Sequence, residues 1–181
     1  MQLSLDGFMA RPNGDLDWMT WDWDDELEAY GNELTAPVDL ILLGRKTSEG
    51  FIPHWTSVAA NPEDPEYAFG RIMNDTPKIV FSRTLQTIEG NNTSLLKEAS
   101  PEVINELKSK PGGDIIVYGG AGFVSGLFQQ GLIDEFHLFI NPVAIGKGLS
   151  IFNTLPESRK LKLMHAQGFA SGVAVLVYQP A

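Results

Sequence analysis

The stretch that decides the fold covers residues 114–128 and reads Asp-Ile-Ile-Val-Tyr-Gly-Gly-Ala-Gly-Phe-Val-Ser-Gly-Leu-Phe. The apolar run 115–118 predicts a strand, and three glycines follow it within residues 119–122. Apolar residues then return at helical spacing over residues 123–128. A strand, a glycine turn and a helix form the arrangement in which free backbone N–H groups and a helix N-terminus meet an anion, usually a phosphate. The alternative is that the glycines serve only a tight turn.

The glycine turn does not follow the Rossmann pattern. Gly120-Ala121-Gly122 matches the start of the G-x-G-x-x-G fingerprint, but the third glycine is displaced to Gly126. The acid expected about 20 residues on, at the end of the next strand, is also absent, since Glu135 comes too early and begins that strand. The motif lies late in the chain, where a first βα unit cannot be. The sequence therefore argues against a Rossmann fold.

Strands and helices alternate through most of the chain. Predicted strands cover residues 1–5, 38–43, 78–82, 115–118 and 133–140, and a closing antiparallel hairpin covers 161–169 and 173–178. Predicted helices run to about residue 34, over 45–51 before a proline-rich loop 52–65, over 66–73, over 101–108 and after residue 122. This pattern predicts an α/β three-layer domain with a mainly parallel mixed sheet and an antiparallel C-terminal hairpin. We expect residues 1–181 to form one domain.

Composition excludes several classes of protein. Thirteen basic and 23 acidic residues give a net charge of −10, which argues against a nucleic-acid-binding face. The absence of cysteine excludes disulfides, thiol catalysis and thiolate metal sites. No stretch approaches the ~18 apolar residues of a membrane span, and the N-terminus lacks the pattern of a secretory signal. We expect a cytoplasmic protein that does not bind membranes.

Two further strand ends carry cations and hydroxyls. They read Gly44-Arg45-Lys46-Thr47 and Ser82-Arg83-Thr84. Cations at a helix N-terminus each cost about 0.3–1 kcal/mol unless an anion lies there, although a short solvated basic turn is the alternative. Because ligands of parallel sheets bind at the carboxyl ends of the strands, three such junctions predict an elongated ligand with several phosphates.

The N-terminal segment offers candidate substrate contacts. Asp6 follows the first strand at a glycine bend and could direct a carboxylate to the same edge, although an Asx turn is the alternative. Trp18, Trp21 and Trp23 could form walls for a flat substrate. The aspartates among them are more typical of a helix start. No H-x-x-x-H, Ser-His-Asp or Walker signature is present, so the sequence indicates neither a metal site nor phosphoryl transfer.

In these residues and their spacing, the chain resembles the dihydrofolate reductase-like superfamily. It is most similar to the branch formed by the C-terminal reductase domain of the bifunctional riboflavin-synthesis protein and its stand-alone relatives. The matching stretches extend through nearly the whole chain and are residues 4–10, 14–18, 43–47, 51–55, 80–84, 112–122, 132–138 and 141–148, with Phe152.

The resemblance implies an NADPH-dependent reductase that acts on a pterin-like or ribosylaminopyrimidine-like molecule, and it implies a homodimer. The implied cofactor residues are Gly44, Arg45, Lys46, Thr47, Ser82, Arg83, Thr84, Gly119, Gly120, Ala121 and Gly122. The implied substrate residues are Ser4, Trp18, Trp23 and Trp55, with Asp6 for substrate orientation or acid–base help. The alternative is a protein of the same fold that binds NADP(H) without efficient catalysis.

Overall fold

The computed structural model describes all residues from 1 to 181, with eight strands and five helices. In chain order they are β1 (Gln2–Ser4), α1 (Asp25–Thr35), β2 (Val38–Gly44), α2 (Arg45–Ala59), α3 (Tyr67–Asp75), β3 (Lys78–Phe81), β4 (Thr93–Leu96), α4 (Pro101–Ser109), β5 (Asp114–Gly119), α5 (Ala121–Gln129), β6 (Phe136–Asn141), β7 (Leu161–Gly168) and β8 (Ala174–Pro180). The chain divides into two compact units, and one boundary between them falls within α5. The first unit contains Met1–Ala36 with Val124–Ala181, and the second contains Pro37–Phe123.

The second unit contains a four-stranded parallel sheet in the order β4-β3-β2-β5. Gly44 on β2 pairs with Phe81 on β3, and Phe81 pairs with Leu96 on β4. Leu43 pairs with Gly119 on the other side of β2. The carboxyl ends of all four strands therefore lie at one edge of this sheet.

The core of the second unit explains why β2 and β3 are so apolar. Ile41, Leu43 and Val80 are fully buried in one cluster with Ile52 of α2 and Met73 of α3. A parallel strand covered on its faces reads as a continuous apolar run, as residues 40–43 do. The local sequence and the burial of this sheet therefore agree.

Helix α2 is longer than the sequence indicates. We expected it to end near residue 51 and a loop to follow, but it continues to Ala59 with Pro53 inside it. Proline removes one helical hydrogen bond and costs about 3 kcal/mol in a helix interior. Ile52 and Val58 are buried on either side of Pro53, and their burial offsets that cost. The predicted loop 52–65 is wrong over its first half for this reason.

Strand β4 lies within residues 83–100, where the sequence predicted neither a strand nor a helix. Its residues Thr93–Leu96 alternate between half-buried and exposed, and the strand pairs with β3 along its whole length. Four residues give too short a pattern to distinguish a strand from a loop. Only the pairing with β3 reveals it.

The first unit contains a mixed four-stranded sheet in the order β1-β6-β8-β7. β1 is parallel to β6, whereas β6, β8 and β7 are antiparallel. Asp24 is the N-cap of helix α1, and its side chain accepts a hydrogen bond from the Leu27 N–H at 2.9 Å. Leu27 is fully buried in a cluster with Val173 and Val175, so the cap fixes the helix that closes this core.

The α/β class, the parallel strands and the antiparallel C-terminal hairpin are confirmed. Each unit has its own sheet and core, and the expectation of a single domain over residues 1–181 stays a prediction. No helix is both long and apolar enough to cross a membrane.

Lys78 provides a stability prediction for the second unit. It is 3% exposed, and its ammonium donates hydrogen bonds to the carbonyls of Met73, Asn74 and Thr76 at 2.7–3.0 Å. Burial lowers the pKa of Lys78, and the negative charge of Asp75 partly opposes this shift. Lys78→Met keeps the bulk of the side chain but leaves these carbonyls without their donor. We expect the free energy of unfolding to fall by about 1–2 kcal/mol in urea titrations.

The matched control is Lys110→Met. Lys110 is exposed and pairs only with Glu106 at 3.5 Å. Removing such a surface pair should change the free energy of unfolding by less than about 0.5 kcal/mol. Equal losses in the two variants would contradict a capping role for Lys78.

Candidate functional site

Three glycines bring the ends of β2 and β5 together in the second unit. A Cβ added to Gly44 would lie 3.0 Å from the Cβ of Phe123, and one added to Gly120 would lie 3.1 Å from the hydroxyl of Thr47. Gly119 has a φ of +131°, which side-chain-bearing residues rarely adopt, and the Gly119–Gly120 peptide is cis. The Cβ distances show that the two predicted stretches 44–47 and 119–122 lie close together, and that a side chain at Gly44 or Gly120 would crowd Phe123 or Thr47.

The N-terminus of α2 is open to an anion. Gly44 is its N-cap and supplies no side-chain hydrogen bond, and the first turn contains no acid. Arg45 is 39% exposed and forms a 2.5 Å ion pair with Glu49, while Lys46 is exposed. The first-turn N–H groups and two cations therefore lie together at the positive end of the helix dipole.

The loop after β3 is shaped by its first hydroxyl. The buried Ser82 Oγ accepts hydrogen bonds from the backbone N–H groups of Thr84 and Leu85 at 3.2 and 3.1 Å. Arg83 is 82% exposed and makes only a 3.7 Å ion pair with Glu98. Ser82 therefore supports the turn, whereas the guanidinium of Arg83 is available to a ligand.

The start of α5 leaves room beside its backbone. Gly122 is exposed, and a Cβ added there would meet nothing within 4 Å. The first turn of α5 contains no acid. Phe123 stacks on Phe81 at 5.3 Å between ring centroids, which links the beginning of α5 to the end of β3. The backbone N–H groups of this turn can therefore be approached closely by a ligand.

These features of the second unit fit a dinucleotide that carries an extra phosphate. The glycines 119, 120 and 122 leave a backbone that a pyrophosphate can approach, and the cations lie next to them in the strand order β3-β2-β5. Local positive charge is needed because the chain as a whole carries −10. No cluster of three or more His, Asp or Glu side chains is arranged to hold a metal ion.

In the first unit, Asp6 is held by the loop after β6. Its carboxylate accepts hydrogen bonds from the Ser4 hydroxyl at 2.6 Å and from the backbone N–H groups of Ile145 and Gly146 at 3.1 and 2.7 Å. The Ser4 hydroxyl also accepts a hydrogen bond from the Phe8 N–H. The hydrogen bond from Ser4 is the main reason that the pKa of Asp6 lies below its usual value of 3.8, and the two backbone bonds add to it. Asp6 is therefore ionised at neutral pH and acts as an acceptor that orders this loop.

The Asp6 contacts predict a specific pH dependence. A carboxyl whose pKa is lower in the folded protein stabilises it above the unfolded pKa, and the stabilisation disappears as the pH falls through the folded value. We expect Asp6→Asn to lower the melting temperature at pH 7. We also expect the difference from wild type to shrink as the pH falls below about 4. Melting curves over that range check this, and a difference independent of pH would contradict it.

The other predicted substrate residues lie in different environments. Ser4 is fully buried with its hydroxyl engaged by Asp6 and Phe8. Trp18 is 7% exposed, and the half-buried Trp23 stacks on Phe139 at 5.6 Å, against the core of the first unit. The indole N–H groups of both tryptophans are buried without a partner. The direct role of these three residues in substrate binding stays a prediction.

Trp55 lies in the second unit, on α2 rather than in the predicted loop. Its ring contacts Phe51 at 6.1 Å and Phe69 at 5.2 Å between centroids. It is half-buried, so one part of the ring remains accessible. A wall role for Trp55 is compatible with this position and stays a prediction.

Two residues of the second unit's candidate site were not predicted from the sequence. Phe123 packs against Gly44 and Phe81, and Tyr118 is the last residue with a side chain before the glycine turn. Both lie inside the opening stretch, where we interpreted them only as apolar members of a strand and a helix. The apolar run 115–118 has no alternation that would assign Tyr118 to a face, and its environment depends on α2.

Comparison with protein-family models matches residues 1–175 to the RibD C-terminal domain. The uncharacterised protein YyaP of Bacillus subtilis is 34% identical over 98% of this chain and 91% of that protein. The riboflavin biosynthesis protein RibD of Corynebacterium ammoniagenes is 25% identical, over 91% of this chain and 50% of that protein. The chain thus spans about half of that RibD.

Solved structures show the same fold. A putative riboflavin biosynthesis protein from Shewanella gives a TM-score of 0.72 at 21% identity, covering all of this chain and 96% of the other. The deaminase/5-amino-6-(5-phosphoribosylamino)uracil reductase of Thermotoga maritima gives 0.68 at 19% identity, covering 99% of this chain and 55% of that one. The match over residues 1–175 shows that the chain belongs to the RibD C-terminal domain family.

Proposed function

We propose that the protein is an NADPH-dependent reductase of a small heterocycle. Family membership supports a reductase-type activity. The observation that carries the cofactor assignment is the register of the second unit's sheet. It aligns Gly44, Phe81 and Gly119 at one edge and so brings three phosphate-compatible strand ends side by side.

Each strand end has a separate task in this proposal. The backbone of Gly119, Gly120, Ala121 and Gly122 binds the pyrophosphate through N–H groups. Arg45, Lys46 and Arg83, with the hydroxyls of Thr47 and Thr84, bind the adenosine 2′-phosphate. Ser82 stabilises the loop that carries Arg83 and Thr84, as its two hydrogen bonds from backbone N–H groups indicate.

NADPH, when bound, supplies a hydride to a C=N or C=O group. The chain's own contribution is orientation and charge complementarity, which can lower the barrier of a bimolecular step by several kcal/mol. Asp6 serves as a positioning residue, because its ionised carboxylate orders residues 145 and 146. The ribosylaminopyrimidine-like substrate class rests on the similarity to the Thermotoga maritima reductase. The pterin-like alternative rests on the resemblance to the dihydrofolate reductase-like superfamily.

The proposal includes four further features. They are a single domain over residues 1–181, a homodimer, a cytoplasmic location, and substrate contacts from Ser4, Trp18, Trp23 and Trp55. A second candidate function is NADP(H) binding without efficient turnover. The engaged hydroxyl of Ser4 and the core packing of Trp23 favour it, since both reduce the number of free substrate contacts.

The test uses the full chain with NADPH, NADH and 5-amino-6-(5-phosphoribosylamino)uracil. We expect NADPH to raise the melting temperature more than NADH, and we expect the pyrimidine to accelerate NADPH oxidation. Protection by NADPH without oxidation on a panel of pyrimidines, pterins, carbonyls and imines would favour the binding protein. Absence of any protection would overturn both functions.

A further inference from the structure

Tyr118 lies between the glycine turn and the aromatic side chains of α2 in the second unit. It is the last residue with a side chain on β5, directly before Gly119. Its ring packs against Phe51 of α2 at 5.2 Å between centroids, and Phe51 in turn contacts Trp55. Phe51, Trp55 and Tyr118 are all half-buried, so they form an aromatic surface that keeps some exposure. This surface begins one residue before the glycine turn.

The hydroxyl of Tyr118 has no hydrogen-bond partner in the protein, although most of the ring is enclosed. Two other tyrosines differ: the Tyr30 hydroxyl is 2.7 Å from His137 Nδ1, and the Tyr67 hydroxyl accepts a hydrogen bond from Arg71. The Tyr118 oxygen is not sealed in the interior, unlike the unpaired indole nitrogens of Trp18 and Trp23. A largely enclosed hydroxyl without a protein partner lowers stability unless something else pairs with it.

Burial raises the pKa of Tyr118 to about 12. The phenol therefore keeps its proton throughout the physiological range and can donate a hydrogen bond at any pH at which the protein works. The flanking rings of Phe51 and Trp55 offer apolar faces for a flat molecule. One fixed donor beside aromatic walls is the usual composition of a site for a heterocycle.

We propose that Tyr118 is a specificity-determining residue that donates a hydrogen bond to a ring carbonyl or ring nitrogen of a pyrimidine substrate lying against Phe51 and Trp55. The inference rests on the proposed function, because it assumes that the neighbouring glycine turn binds the cofactor. It adds a substrate contact that the opening stretch itself supplies. The Tyr118 donor would thus directly precede the glycine turn at the end of β5.

The test compares Tyr118→Phe with wild type and with Tyr67→Phe as a matched control. Phenylalanine keeps the ring against Phe51 and removes only the hydroxyl. Tyr67 lies in the same unit, on α3, and its hydroxyl contacts only Arg71 on the surface. The measurements are the melting temperature, the NADPH dissociation constant, the kinetic constants for 5-amino-6-(5-phosphoribosylamino)uracil, and its dissociation constant by calorimetry with NADP⁺ present.

We expect Tyr118→Phe to raise the KM and the dissociation constant of the pyrimidine by about 3- to 10-fold, the usual effect of one lost hydrogen bond. NADPH affinity should stay within about twofold, and the melting temperature should be unchanged or higher, because an unpaired hydroxyl contributes nothing to folding. A structural role would instead lower the melting temperature. Tyr67→Phe should leave all four quantities near their wild-type values.

The outcomes separate this inference from the proposed function. If wild type binds the pyrimidine without oxidising NADPH, the proposed activity fails. The dissociation constants alone then decide the role of Tyr118, and a weaker Tyr118→Phe complex supports it. Equal pyrimidine affinity in wild type and Tyr118→Phe overturns the inference, as does a wild-type protein that does not bind the pyrimidine at all.

Discussion

Replacing Gly122 by aspartate is expected to weaken NADPH binding by about 100-fold, roughly 2.7 kcal/mol, since it places a carboxylate against the two negative phosphates of the cofactor. The same change should not harm the fold. Gly122 is exposed, a Cβ there meets nothing within 4 Å, and an acid in the first turn of α5 is favourable for the helix dipole. Fluorescence titration with NADPH measures the first effect, and thermal melting measures the second.

Gly126→Asp is the matched control for this variant. Gly126 lies one turn further along α5, and a Cβ there also meets nothing within 4 Å. The charge change is identical, but it is removed from the helix N-terminus, so we expect less than about a threefold change in NADPH affinity. Comparable losses in both variants would show a general charge effect, and unchanged affinity in Gly122→Asp would exclude the start of α5 as the pyrophosphate site.

Replacing Arg45 by alanine is expected to raise the dissociation constant of NADPH by about 10- to 100-fold, the usual effect of losing a charge-assisted hydrogen bond to a phosphate. NADH lacks the 2′-phosphate, so its affinity should change by no more than about twofold. Arg45 pairs with Glu49 in the free protein, and the side chain is 39% exposed, so this ion pair contributes little to stability. The ratio of the two dissociation constants is the measurement.

Arg71→Ala controls for the loss of a surface arginine. Arg71 also pairs with an acid four residues on, Asp75 at 3.2 Å, and it lies in the same unit on α3. It should leave the preference for NADPH unchanged. If Arg45→Ala weakens NADPH and NADH equally, Arg45 does not contact the 2′-phosphate, and Arg83, which is 82% exposed, becomes the leading candidate.

Much of the fold could be predicted because its signals are local. The buried runs that became β2 and β3, the helix over residues 101–108 that became α4, and the glycine turn after β5 were each predicted correctly from a few residues. Helix α2 and strand β4 were not, since a proline and a four-residue strand have ambiguous local signals. Their conformations depend on packing and pairing with elements distant in the chain.

The candidate site was also predictable only in part. Glycines after a buried strand and cations at a helix start are visible in the sequence because their chemistry depends on the backbone conformation of a few neighbouring residues. The hydrogen-bonding partners of a side chain cannot be inferred from its neighbours in the sequence. Asp6 is paired with residues 145 and 146, about 140 positions away, so only the structure shows that its carboxylate is an engaged acceptor.

By itself, the sequence determined the α/β class, the family and the three phosphate-compatible stretches, because each depends on periodicity or on residue types that are adjacent in the chain. The tertiary structure alone decided that β3, β2 and β5 are neighbours in the second unit's sheet, so that these stretches share one edge. It also decided that the hydroxyl of Tyr118 is left without a partner beside Phe51. Strand order and the hydrogen-bonding state of the half-buried Tyr118 hydroxyl arise from contacts between distant residues, and no local pattern encodes them.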